Sequence, residues 1–189
     1  MIVWLARGNM IAGKIYEVDS LLTEDEIAKL SIEYNKYGWV FQGGEHDVVF
    51  DVPLRVFSHK PLAQNEYIVN LFKTKVESVL GCKVEAGRVY ANGQAHGQSA
   101  WVHTDDSEDD EYEYGSMVYY IHKNWKPQFG GHLIFVDDEH DPKNVVKSIF
   151  PKSNSAVIFH SELPHMALEP KVYCTSNRES IAFKFKVLK

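Results

Sequence analysis

The chain has 189 residues, of which 20 are basic and 26 acidic, for a formal net charge of −6. That length fits one ordinary domain with a single well-covered core, spanning 1–189, and leaves no room for a second. The negative balance disfavours nucleic acid, because a grip on a phosphate backbone would need a local basic patch. Two cysteines, Cys82 and Cys174, sit in no metal-like spacing and read as reduced core thiols rather than a disulfide framework.

The opening MIVWLA is too short for a secretion signal and lacks a basic leader, and no later stretch approaches the ~18 uninterrupted apolar residues of a membrane span. The expectation is a soluble, cytoplasmic protein with no membrane partner. A strand-like KIYEVDS leads into Thr23 to Tyr37, where Ile27, Leu30 and Tyr34 recur at helical spacing. Thr23 as N-cap with Glu26 three residues later predicts a capping box. From Gly38 to Lys60 aromatics, a Gly43-Gly44 turn and short β-branched runs predict strands joined by a mobile loop. Within it Gly38 to Asp51, carrying Trp39 and Phe41, is a candidate substrate lid.

Pro61 is read as opening a second helix that runs to about Leu80, burying Ile68, Leu71, Phe72, Val76 and Val79, with Gly81 ending it. Everything beyond alternates as strands: Val84 to Ala91, Ser116 to His122, His132 to Val136, Val145 to Phe150, Ala156 to Phe159 and Ser180 to Val187. Two helices followed by seven or eight short strands imply an α+β, mainly β chain. In it a helical support over about 15–82 packs on one antiparallel sheet of a sandwich core over about 83–189. Asp105 to Glu113 holds seven carboxylates in nine residues and predicts a solvated loop.

His103-Thr104-Asp105 places an imidazole and a carboxylate at i and i+2, on one face of an extended strand, with Thr104 pointing away. A second histidine from elsewhere would complete the two-His, one-carboxylate triad that holds one face of an octahedral iron and leaves the other open. His160 and His165 both lie downstream. His160 ends the strand AVIFH, where packing explains it, whereas His165 starts a fresh extended segment behind Pro164 and is preferred. A rival set, His132 with Asp137, Asp138 and His140, reads more simply as a turn between strands, and His96 as a loop residue.

The segments RVYANGQAHGQSAWVHTD, MVYYIHKNWKPQFGGHLIF, IFPKSNSAVIFHSELPHMALEP and NRESIAFKF, in that order, resemble the prolyl 4-hydroxylase-like branch of the Fe(II)/2-oxoglutarate oxygenases. The likeness covers roughly residues 84 to 187, with KIYEVDSLLTEDEIAKL similar to that branch's opening helix. The resemblance implies a double-stranded β-helix, or jelly roll, with Fe(II) held at its mouth by His103, Asp105 and His165.

It also implies 2-oxoglutarate as cosubstrate and O2 as oxidant, with ascorbate as a reductant. Arg178 matches the family's basic anchor for the cosubstrate, and a guanidinium suits the task because its planar fork holds a carboxylate through two charge-assisted bonds. Lys171 is the alternative anchor. Tyr120 matches the contact to the far carboxylate, Tyr90 a contact nearer the iron, and Ser180 lies on the same strand face as Arg178; each tyrosine also reads as a core aromatic.

The activity implied is hydroxylation of an unactivated C–H bond, since related halogenases replace the carboxylate ligand kept here as Asp105. The partner implied is a proline-containing peptide or protein, and the acidic run beside the ligands favours a basic one. The alternatives are a hydroxylase of a free amino acid or small metabolite, and a cupin-like metal enzyme that does not use 2-oxoglutarate.

Overall fold

A computed structural model describes residues 11, 13–42, 46–47, 52–53, 57–105 and 112–188. The first strand, β1 (Ile15–Val18), precedes helix α1 (Glu24–Tyr34). The Thr23 hydroxyl accepts from the Glu26 backbone N–H at 3.3 Å while the Glu26 carboxylate takes the Thr23 N–H at 2.9 Å, so the capping box forms as read. Four short strands follow: β2 (Val40–Gln42), β3 (His46–Asp47), β4 (Val52–Pro53) and β5 (Phe57–Pro61). The second helix, α2 (Glu66–Leu80), starts later than the sequence reading places it. Pro61 ends β5 instead, and Asn65 caps the helix by accepting from the Ile68 N–H at 3.0 Å, a bond proline cannot supply. Gly81 closes it in the left-handed conformation, φ 71°.

The remaining strands are β6 (Val84–Gln94), β7 (Tyr114–Tyr120), β8 (Leu133–Val136), β9 (Val145–Ile149), β10 (Ala156–His160), β11 (His165–Ala167) and β12 (Arg178–Val187). Every pairing is antiparallel. The large sheet runs β1-β10-β7-β12-β6-β5-β2, and a small sheet runs β11-β8-β9. β6 continues through Asn92-Gly93, past the predicted stop at Ala91, because Gly93 pairs with both Glu179 and Ser58. The glycine serves close approach rather than a turn: a Cβ there would lie 2.9 Å from the Trp39 ring.

Period-two alternation sends each central strand to two cores. On one face Val89, Met117, Tyr119, Ile181, Phe183 and Phe185 meet Leu30 of α1 and Ile68, Phe72 and Val76 of α2. On the other, Tyr120, Val157 and Phe159 meet Leu133, Phe135 and Ile149 of the small sheet. Each side chain of Phe or Leu size so buried contributes on the order of 1.5–3 kcal/mol. This is the mainly β jelly-roll layout with helices on one sheet. The cysteines are free thiols, but both are only half-buried rather than core residues. Residues 43–45, 48–51 and 106–111, which include half of the candidate lid and most of the acidic loop, lie outside the described residues, as does the opening MIVWLA. Among the described residues no helix is long and apolar enough to cross a membrane.

Candidate metal centre

The segment carrying His103 and Asp105 follows β6 and lies against the β10–β11 connection. His103 and His165 exchange backbone hydrogen bonds of 3.0 and 2.9 Å, and the Asp105 N–H donates to the Ser161 carbonyl at 2.8 Å. This short antiparallel bridge brings together residues 62 positions apart in the chain. Thr104 points away, as its place between two same-face residues requires, and both its N–H and hydroxyl contact Glu139.

Each imidazole is oriented by its own backbone. The Nδ1 of His103 lies 2.9 Å from the Trp101 carbonyl and that of His165 lies 2.7 Å from the Leu163 carbonyl. A carbonyl only accepts, so both Nδ1 atoms are the protonated ones and both Nε2 lone pairs face inward. There His103 Nε2 is 3.9 Å from Asp105 Oδ1, His165 Nε2 is 3.7 Å from Asp105 Oδ2, and one ligand atom from each residue lies within 4.8 Å of the others. A first-row ion with bonds on the order of 2.1 Å fits among them after a small inward adjustment. Among the described residues these are the side chains that gather closely enough in a group of three to share an ion.

Protonation suits that use. Burial lowers His165 to about 3, outweighing the nearby Asp105, so its imidazole is neutral at ordinary pH. Burial alone would raise Asp105, but the Lys184 ammonium, His165 and the hydrogen bonds from Lys184 and Ser116 hold it well below the usual carboxylate range. A neutral His165 imidazole and an ionised Asp105 carboxylate are donors of the kind a divalent ion needs.

A second feature lies deeper between the sheets. Arg178, the first residue of β12, is 1% exposed, and its contacts are to neutral groups. Its Nε donates to the Gly131 carbonyl at 2.6 Å, its Nη1 to Gln94 Oε1 at 2.9 Å, and its Cζ lies 5.3 Å from the Tyr120 ring centre. The Gly130-Gly131 turn makes room for it: both residues have positive φ, and a Cβ on Gly131 would lie 3.0 Å from Arg178 Cδ. Arg178 Nη2 and Tyr120 Oη are both buried without a partner. A buried guanidinium unpaired with a carboxylate among the described residues, next to an orphaned phenol, is a cradle for an incoming carboxylate. The cavity that joins Arg178 to His103, Asp105 and His165 has a volume of about 60 Å³, with Tyr90, Asn92 and Ser180 in its walls.

The model of the 2OG-Fe(II) oxygenase superfamily matches residues 89–186, more than half of the chain. The chain belongs to the 2OG-Fe(II) oxygenase superfamily. Membership makes it a 2-oxoglutarate-dependent dioxygenase and implies Fe(II), 2-oxoglutarate and O2 as its working set. No curated protein matches it in sequence. Solved structures share its fold at low identity. The 2OG complex of the viral collagen prolyl hydroxylase from Paramecium Bursaria Chlorella virus-1 is 19% identical, with a TM-score of 0.62 over 95% of this chain and 98% of that one. A Trichoplax adhaerens prolyl hydroxylase bound to a hypoxia inducible factor peptide is 14% identical, with a TM-score of 0.62 over 92% and 83% of the two chains. HygX from Streptomyces hygroscopicus, with nickel and 2-oxoglutarate bound, is 11% identical, with a TM-score of 0.65 over 91% and 82%.

In this oxygenase the residues singled out from the sequence fall into place unevenly. His103, Asp105, His165, Arg178, Tyr90 and Ser180 all line one cavity, while Tyr120 stands behind Arg178. His160 ends β10 with its Nδ1 taking the Glu162 N–H at 3.3 Å, and Asp137 and Asp138 accept backbone N–H bonds that tie the turn after β8. Lys171 is exposed on a separate surface groove. Sequence reading passed over Lys184, Ser116, Gln94 and Gly131. The alternation that places Arg178 and Ser180 on the inner face of β12 also places Lys184 there, so that signal was available. Gln94 and Ser116 needed the register, which pairs them with Arg178 and Lys184.

A second, wider cavity of about 410 Å³ opens on the far side of Asp105, between the ends of β6, β7 and β12. Arg88, Tyr114, Ser161 and Lys186 are among its walls, and Asp105 and Lys184 border both cavities.

Proposed function

We propose that this oxygenase hydroxylates an unactivated C–H bond of a prolyl residue in a peptide or protein, with His103, Asp105 and His165 holding Fe(II) and Arg178 anchoring 2-oxoglutarate. The observation that carries the cosubstrate part is the buried guanidinium of Arg178, which lines one cavity with His103, Asp105 and His165 and whose Nη2 makes no well-formed hydrogen bond, with the Tyr120 ring against it. When bound, iron and 2-oxoglutarate supply the oxidising chemistry, in which O2 and 2-oxoglutarate become succinate and carbon dioxide and one oxygen atom enters the substrate C–H bond.

The chain's own groups do the positioning. The carbonyls of residues 101 and 163 fix the imidazole tautomers, and Asp105 supplies the negative charge. Arg178 and Tyr120 receive the far carboxylate, so that the other end of a molecule of this length points at the ligands, with Ser180 and Tyr90 along its path. The wider cavity beyond Asp105 admits the substrate.

The prolyl assignment rests on the sequence resemblance to prolyl 4-hydroxylases and on the fold shared with two prolyl hydroxylases. The seven carboxylates in Asp105 to Glu113 favour a basic stretch around the target. The outer cavity also has the volume of a small-molecule site, so a free amino acid or small metabolite is the second reading. Ascorbate serves as reductant in this reading, and the setting is cytoplasmic. The test is succinate formation from 2-oxoglutarate with basic proline-containing peptides against free amino acids. Peptide-dependent succinate and a mass gain of one oxygen on proline are expected. Turnover on free amino acids alone contradicts the prolyl assignment, and succinate formation that survives His103→Ala contradicts the ligand assignment.

A further inference from the structure

Lys184 is out of character for its surroundings. A lysine side chain only 14% exposed, beside three residues suited to a divalent cation, works against that cation through charge repulsion. Small residues such as Ala182, its neighbour on the same strand face, would fill the space without that penalty. The contacts of Lys184 show what its charge is aimed at. It stands directly across from Ser116 in the β12–β7 register, its Nζ donates to Ser116 Oγ at 3.0 Å, and the same Nζ contacts Asp105 Oδ2. Ser116 Oγ donates to that same oxygen at 2.5 Å. Two donors therefore converge on Oδ2 and engage the lone pairs it would otherwise offer, although it also lies 3.7 Å from His165 Nε2, whereas Oδ1, 3.9 Å from His103 Nε2, accepts from neither donor.

We propose that Lys184, acting with Ser116, is a positioning residue that makes Asp105 a one-oxygen ligand. This rests on the metal-centre reading above. A carboxylate whose Oδ2 is engaged by an ammonium and a hydroxyl offers an ion only Oδ1. Freed of them, it can chelate through both oxygens and take a second coordination position. The distinction matters because 2-oxoglutarate needs two open positions and O2 a third, so a chelating aspartate leaves one too few. Lys184 is suited to this role by its place on the partition between the two cavities, where it lines both and reaches Asp105.

Mn(II) bound to the full chain without 2-oxoglutarate reports the number of coordinated waters through water-proton relaxation, a readout independent of turnover. Wild type and Lys184→Arg are expected to give equal enhancement per bound ion. Lys184→Met is expected to lose about a third of it, as one of the roughly three open positions is taken by the second carboxylate oxygen. Enhancement unchanged in Lys184→Met, or reduced as far in Lys184→Arg, overturns the proposal. If circular dichroism shows Lys184→Met unfolded, Ser116→Ala, which removes the other donor, decides it: a drop smaller than a third supports the role and no drop overturns it. Failure of the underlying reading looks different. Wild type that binds no Mn(II), or His103→Ala that binds it as well as wild type, removes the metal centre itself.

Discussion

At the residue scale, the strongest single dependence is on Arg178. A charge-assisted, two-bond grip on a carboxylate contributes about 3 kcal/mol, so Arg178→Met is expected to raise the 2-oxoglutarate concentration for half-maximal succinate formation about 100-fold, with Lys184 and the ligands untouched. Lysine at position 178 keeps the charge but loses the fork and falls between. His122 makes a different prediction. Both its ring nitrogens are buried without partners, it stacks on Trp125 at 4.5 Å, and burial, with the charge of Arg178, lowers it to about 4. The unfolded chain takes up that proton near pH 6.5 while the folded chain refuses it until about 4, so stability falls as the pH drops through this window. Wild type is expected to lose up to about 3 kcal/mol more than His122→Asn between pH 7 and 4 in thermal unfolding. Parallel pH profiles for the two proteins would show that His122 takes up its proton in the fold as easily as in water.

At the element scale, β7 and β12 carry the site, and their packing depends on a residue with no side chain. A Cβ at Gly115 would lie 2.4 Å from Phe185 and 2.8 Å from Ile11. Gly115→Ala is expected to destabilise the fold by about 1–3 kcal/mol, read as a lower Tm, because the core must move to admit one methyl. An unchanged Tm would mean that Phe185 repacks freely. The helices and most strand centres were legible in the chain because local rules decide them: the Thr23 capping box and the Gly81 stop need only their near neighbours. The misses were tertiary. Pro61 looked like a helix opener until Asn65 proved to be the cap, and the Asn92-Gly93 pair looked like a strand's end although Trp39, far away in sequence, needs that glycine. The candidate ligands His103, Asp105 and His165, which the structure gathers into one cluster, were picked out by spacing and resemblance, since they are themselves chemically distinctive. The inward face of Lys184 was also legible from strand alternation, but its partnership with Ser116 was not, because that comes from a register that pairs positions 68 residues apart.

At the scale of the whole molecule, two cavities meet at one carboxylate. The inner one ends on a buried guanidinium among neutral groups and is lined by His103, Asp105 and His165, the outer one opens to solvent, and Asp105 borders both. The fold produces this because the helices cover one face of the large sheet, leaving the small sheet to close over only part of the other. The most direct measurement of the central claim is an anaerobic titration of the full chain with Fe(II) and then 2-oxoglutarate, followed by visible absorption. Wild type is expected to develop a metal-to-ligand charge-transfer band that saturates at one iron per chain and is lost in His103→Ala and His165→Ala. A wild-type protein that shows no such band, or a band that persists unchanged in either variant, contradicts the account.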